Sequence, residues 1–467
     1  MISDFKYPGV FIILMISHVV FADIILIKDV PHILQKPDFC GEACIAAYLQ
    51  KMGYPVTQEH VFNVSGVDPA LGRGCVTRDM KTALENYGFK PGDVWYYVDS
   101  RNPEKGLKTQ WNLIVESLKQ EVPTIVCMRT SKDSTATEHF RLILGYDTES
   151  EEVIYHEPAN DNGAYQRMKR DLFLTLLPLK YFPEKWLVIR LPLKVDKINI
   201  GVSQQDGFSN ADFAQHIMTL RHRLPEGFTF VIQSPFIIIG DESPDMVKSR
   251  ALHTVKAFSD AMKRQYFDTE PPCIFEIWLF KNEVSYRKYT KELFNDTPDT
   301  PFGYCSGTHS ALIMNIATGG GTLCHEIVHA YVASNFPECP SWFNEGLGSL
   351  YEQCQFVDGK AMGMTNWRLA GLHRQIRNNT LPSFKSLCST TTHEFYNPST
   401  GDNYAQARYL LYYLQEHTML ETYYRTFLKN VSHDPTGYET LKYVLKEDDM
   451  TAFQKRWQEW VLALRFP

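Results

Sequence analysis

Apolar positions recur with two different periods along this chain and divide it into two blocks. From Cys40 onward, Ile45, Leu49 and Met52 share one helical face, and Gly53 ends the run. A second helical stretch is predicted near Thr77–Tyr87, closed by Gly88. Apolar runs at Thr124–Met128, His139–Tyr146, Glu152–His156 and Trp186–Leu191 predict strands. Helices followed by a short antiparallel set of strands make an α+β domain over residues 23–192. Pro192 and the polar stretch Lys194–Asn210 read as a linker, so residues 193–226 comprise a linker and the start of the next domain. The second block, residues 227–467, opens with strands at Phe228–Gln233, Phe236–Ile239 and Cys273–Phe280, with a helix near Asp245–Arg264. A strand at Ala311–Ile316 and the triplet Gly319-Gly320-Gly321 precede a helix over about Thr322–Ser334. From Ser341 the pattern is mostly helical, down to Phe453–Leu464. A sheet lobe before a helical lobe is again α+β.

Composition narrows the function. With 467 residues, 44% hydrophobic and 22% charged, the chain buries enough surface to fold without a metal staple. A metal site in it therefore points to chemistry. The 47 basic and 54 acidic side chains leave a net charge of −7, which argues against nucleic acid as a partner. Residues 1–22 read as an export signal: Lys6 gives the positive flank, Gly9–Phe21 the apolar core, and Val20 and Ala22 the small-residue cleavage site. No other stretch approaches transmembrane length, so a secreted or periplasmic protein is expected, with no integral membrane segment after signal removal. Ten cysteines fit an oxidising compartment without fixing any pairing, and none forms a C-x-x-C.

His325-Glu326-Ile327-Val328-His329 is an H-E-x-x-H pentad on a predicted helix. Histidines at i and i+4 share a face, so both imidazoles reach one zinc ion. Glu326, about 100° round the helix, is placed to act on water as general base. A third ligand is required, and Pro340-Ser341-Trp342-Phe343-Asn344-Glu345-Gly346 offers Glu345, sixteen positions after His329. Ser341 reads as the N-cap of this second helix, with Trp342, Glu345, Ser349 and Glu352 along one face. These residues resemble the glutamate-zincin metallopeptidases of the thermolysin-like superfamily, from about Gly227 to Leu464. The resemblance extends to Tyr404-Ala405-Gln406-Ala407 and implies that Tyr404 points its hydroxyl at the tetrahedral intermediate. It also implies that Gly307–Ile316 is the sheet edge on which an extended peptide is added.

The first block carries a different chemistry. Cys40 opens a helix, where the macrodipole favours thiolate, and Gln35 lies five residues upstream as a donor to an oxyanion. His139 offers the base, and Glu157, in His156-Glu157-Pro158, a carboxylate to orient it. Over Gln35–Gly53, Gly74–Asp79 and His139–Pro158 this layout resembles the papain-like peptidases that cleave double-glycine leaders from exported peptides. That family has Asp or Asn before the proline, where this chain has Glu157; Asn160 and Asp161 are further candidates.

The sequence thus predicts a peptide-bond hydrolase acting on peptide or protein substrates. Its zinc site comprises His325, His329 and Glu345, and its thiol site is built on Cys40 and His139. The alternatives are a peptide binder in which one or both sites are inactive, and a metal-dependent hydrolase of non-peptide substrates.

Overall fold

The computed structural model describes residues 24–201, 207–397 and 402–466. The export-signal segment lies outside the described residues. The chain divides into two compact units, the first running to Val67 and again over Arg73–Ser203, the second comprising Asp68–Gly72 and Gln204 onward. Both mix helices and sheet, in keeping with the α+β expectation. No helix of the described residues is long and apolar enough to cross a membrane.

The first unit is built on a seven-stranded sheet. Its strands are β1 (Ile24–Leu26), β2 (Trp95–Asp99), β3 (Thr124–Arg129), β4 (Glu138–Asp147), β5 (Glu152–His156), β6 (Gln166–Lys169) and β7 (Lys185–Pro192). They are ordered β2-β7-β3-β4-β5-β6, with β1 also pairing β4, and every pairing is antiparallel. β3 and β4 are buried almost throughout, which is why Ile125–Met128 and Leu142–Leu144 are continuous apolar runs. The predicted helices run over Cys40–Lys51 and Thr77–Asn86. Three helices not read from the pattern, Gln58–Ser65, Pro103–Lys119 and Arg170–Leu176, complete the unit.

The second unit holds a five-stranded mixed sheet, ordered β11-β12-β10-β9-β8. The strands are β8 (Thr229–Gln233), β9 (Phe236–Gly240), β10 (Phe275–Phe280), β11 (Gly303–Ser306) and β12 (Ala311–Asn315), with β9, β10 and β12 parallel. Burial on both faces explains the Phe236–Ile239 run. Ile237 and Ile239 pack with Phe213, Ile217 and Leu220 of a helix over Asn210–Arg221, while Phe236 and Ile238 join the larger helical core on the other face. That helix occupies what the sequence reads as linker. The predicted Asp245–Arg264 helix extends over Pro244–Gln265 and contains a wider turn, a π-helical segment at Ala251–Lys256.

One expectation is corrected here. The segment Gly307–Ile316 is not the sheet edge: β12 lies between β10 and β11, and the edge strand is β11, Gly303–Ser306. A tight turn with Ser310 at φ +48° folds the chain back, so that Gly303–Ser306 pairs antiparallel with Ala311–Met314. The helical part also contains a short hairpin, β13 (Cys354–Val357) and β14 (Lys360–Gly363). Among the described residues the ten cysteines are all unpaired.

Candidate functional site

In the first unit the pleat of one strand assembles the site. Leu142 of β4 faces His156 of β5, so the register carried one residue further sets Glu157 opposite Arg141. His139 lies two residues from Arg141 and therefore on the same face of β4. Accordingly, His139 Nε2 lies 2.5 Å from Glu157 Oε1, and Arg141 Nε donates to Glu157 Oε2 at 2.6 Å. All three side chains are buried, His139 the least so at 9% exposed. Burial opposes ionisation of Glu157, but its bonds to His139 and the charges of His139 and Arg141 outweigh it and hold the carboxyl down at about 2. The extra methylene of glutamate is accommodated because both carboxylate oxygens are held.

Cys40 is the first residue of the Cys40–Lys51 helix, and the backbone N–H groups of Phe140, next to His139, and of Gly41 lie near its thiol and favour the thiolate. The expected thiolate is not the resting form: burial pushes the Cys40 thiol up to about 12, Glu42 and Asp38 add to the rise, and the two N–H groups do not offset it. Cys44, one turn on, directs its thiol at the Phe140 carbonyl. Gln35 is tethered to the acid side of the site through its backbone N–H, which donates to Pro158 O at 2.9 Å. Its side-chain Oε1 is buried without a protein partner. Gln58 clamps the same segment, accepting from Lys36 N–H and donating to Leu34 O. Asn160 and Asp161 do not take the orienting place, which Glu157 fills.

In the second unit His325, Glu326 and His329 lie on the helix Gly321–Asn335, and Glu345 on the helix Ser341–Leu350. Ser341 is the first residue of that helix, with Pro340 at the cap position, and its hydroxyl bonds Thr392 instead of capping. Buried Arg408, from the helix Asn403–Glu416, donates to the carbonyls of Ser349 and Leu350, matching a cation to the helix C-terminus. Glu345 Oε2 lies 3.1 Å from His325 Nε2 and 3.6 Å from His329 Nε2. Tetrahedral zinc with bonds of about 2.1 Å sets its ligand atoms about 3.4 Å apart, so this spacing fits the ion.

The far edges of both rings also face polar groups. His329 Nδ1 bonds Asn344 Oδ1 at 2.9 Å, and His325 Nδ1 lies 3.4 Å from Glu352 Oε1, itself paired with Arg368. Burial opposes a charge on His325, but Glu345 and Glu352 push it up to about 10. The cluster is thus built to hold positive charge. A side chain at position 348 would touch the His325 ring at 3.0 Å, which explains Gly348.

Glu326, half-buried, lines a cleft of about 700 Å³ together with His325, Phe302, Gly303, Trp367 and Tyr404. The edge strand β11 therefore enters the cleft at Gly303. Tyr404 is directed at Glu345, and Tyr396, which the sequence did not single out, donates to Glu345 Oε1 at 2.5 Å.

The first unit is similar to a cysteine peptidase-like family. Residues 27–188 match a family model described as Peptidase_C39 like family. Residues 319–435, which carry the metal-type cluster, match a model described as a protein of unknown function (DUF1570). A comparison with curated proteins finds no match.

Proposed function

We propose that this protein is an exported hydrolase of peptide bonds with two independent sites, a zinc site in the second unit and a thiol site in the first. The observation that carries the zinc reading is the convergence of His325, His329 and Glu345, whose ligand atoms lie within 4.8 Å of one another beside Glu326. Bound there, zinc would supply Lewis acidity toward a carbonyl and toward water. The chain's own residues do the rest. Glu326 takes the proton from the attacking water and returns it to the leaving amine. Asn344 and Glu352 fix the two imidazoles, and a peptide lies along β11 in the cleft. Tyr404, which lines the cleft, is the donor for the developing oxyanion, while Tyr396 holds the Glu345 carboxylate.

In the thiol site His139 removes the Cys40 proton as the sulfur attacks the carbonyl, because the resting group is a neutral thiol. Glu157 holds the imidazole through Nε2, and Gln35 and the helix N-terminus face the oxyanion. One observation favours a second reading for this unit: Arg141 shares Glu157 with His139, and Cys40 rests far from thiolate. Both fit a domain that binds peptide without cleaving it.

The test is metal stoichiometry of the purified chain together with peptide turnover. One zinc per chain is expected, lost when His325, His329 or Glu345 is replaced by Ala. A chain that binds no zinc would overturn the zinc reading.

A further inference from the structure

We propose that Cys324 and Cys354 are a disulfide-forming pair whose oxidation fastens the segment bearing the three metal-type ligands. Cys324 precedes His325 on its helix, and Cys354 is the first residue of β13. Their thiols lie within interaction range of each other. The backbones around them are also close. A Cβ at Gly321 would lie 2.2 Å from Glu352 O, so the first turn of the helix rests on the chain two residues before Cys354. The contact between His325 Nδ1 and Glu352 Oε1 brings the neighbours of both thiols together again. Cys324 is 6% exposed and Cys354 is partly buried, packed on the same apolar core.

The two cysteines are thirty positions apart, and the chain between them holds His325, His329, Asn344, Glu345 and Glu352. A bond between them would close one loop around the whole cluster. Such a loop restricts the unfolded chain and ties the start of the His325 helix to the hairpin beyond the Glu345 helix.

The oxidant is a small-molecule disulfide of the glutathione type. Cys354, the more accessible sulfur, attacks its S–S bond as thiolate, forming a mixed disulfide and releasing one thiol. Cys324 then displaces the second thiol and forms the Cys324–Cys354 bond. The two cysteine protons leave with the two released thiols, and the oxidant takes up two electrons.

The experiment uses the full chain, incubated with oxidised glutathione, then unfolded, alkylated and digested without reduction. A linked peptide pair containing Cys324 and Cys354 is expected, with two fewer alkylatable thiols than in reduced protein. The melting temperature should rise by several degrees on oxidation, and neither change should occur in Cys354→Ser. Full alkylation of both cysteines in oxidised wild type, or linkage of either to another cysteine, would overturn the pairing. A linked pair with an unchanged melting temperature would overturn the fastening. Peptide mapping of wild type needs no variant to fold. It is read with and without added zinc, so its failure is distinguishable from failure of the zinc reading.

Discussion

Arg141 Nε donates to Glu157 Oε2 at 2.6 Å, on the oxygen that His139 does not use. One buried carboxylate thus serves two nitrogen-bearing side chains, and the sheet register sets all three in place. Removing Arg141 leaves Glu157 held on one side only, and a loosely held orienting group costs rate through lost geometry. Arg141→Ala should slow alkylation of Cys40 on the order of 10- to 100-fold near neutral pH. Arg141→Lys, which keeps the charge but not the guanidinium, should recover part of it. The rate of Cys40 labelling in each variant, with His139→Ala as the baseline, checks this. Equal rates in wild type and His139→Ala would assign the first unit to binding.

Glu326 is assigned to proton transfer and not to holding metal. Glu326→Gln should therefore keep full zinc content while peptide turnover falls about 10²- to 10⁴-fold. Metal analysis and kinetics on the same preparation separate the two roles. Loss of zinc in this variant would mean that Glu326 is a ligand.

Glu352 and Asn344 hold the imidazoles from behind. Groups in such positions fix ring orientation, and losing one weakens metal affinity about 10- to 100-fold. Glu352→Ala and Asn344→Ala should each do so by competitive titration against a chelating dye. Glu352→Ala should have the larger effect, because it also strands half-buried Arg368.

Glu42 gives the first unit a pH dependence. It is fully buried beside Cys40, accepting from Cys75 N–H through Oε1, with Oε2 unpartnered. Burial pushes its carboxyl from the usual 4.5 up to about 7. A raised pKa means that the folded state binds the proton more tightly. The resulting stability is complete below about pH 4.5 and is lost as pH rises to about 7, a change on the order of 3 kcal/mol. Glu42→Gln, which stays neutral and keeps an acceptor for Cys75, should remove that decline. Denaturant unfolding of the first unit at pH 5 and pH 8 measures it.

Four of the seven strands of the first unit were legible, because β3 to β5 and β7 carry apolar runs with turn signals between them, whereas the short β1, β2 and β6 were not read. The H-E-x-x-H helix was legible because i, i+4 spacing is a property of sequence. Glu345 could be named from the helix that follows. Arg141 was missed although the signal was there: it stands two residues after His139, and on a strand that means the same face. Tyr396 could not be found, since its approach to Glu345 depends on how two distant segments pack. The sheet edge was misplaced because β11 is only four residues long and carries little apolar pattern. The thiolate expectation failed because it weighed the helix terminus alone, and burial, a tertiary property, is the larger effect at Cys40.

The most direct measurement is turnover of a peptide library by the intact protein in four states: untreated, chelated, alkylated, and both. Two independent sites predict that chelator and thiol blocker each remove part of the activity, that only their combination removes all of it, and that zinc restores the chelated share. Turnover unchanged after the bound zinc has been stripped, or no turnover in the untreated protein, would contradict the account.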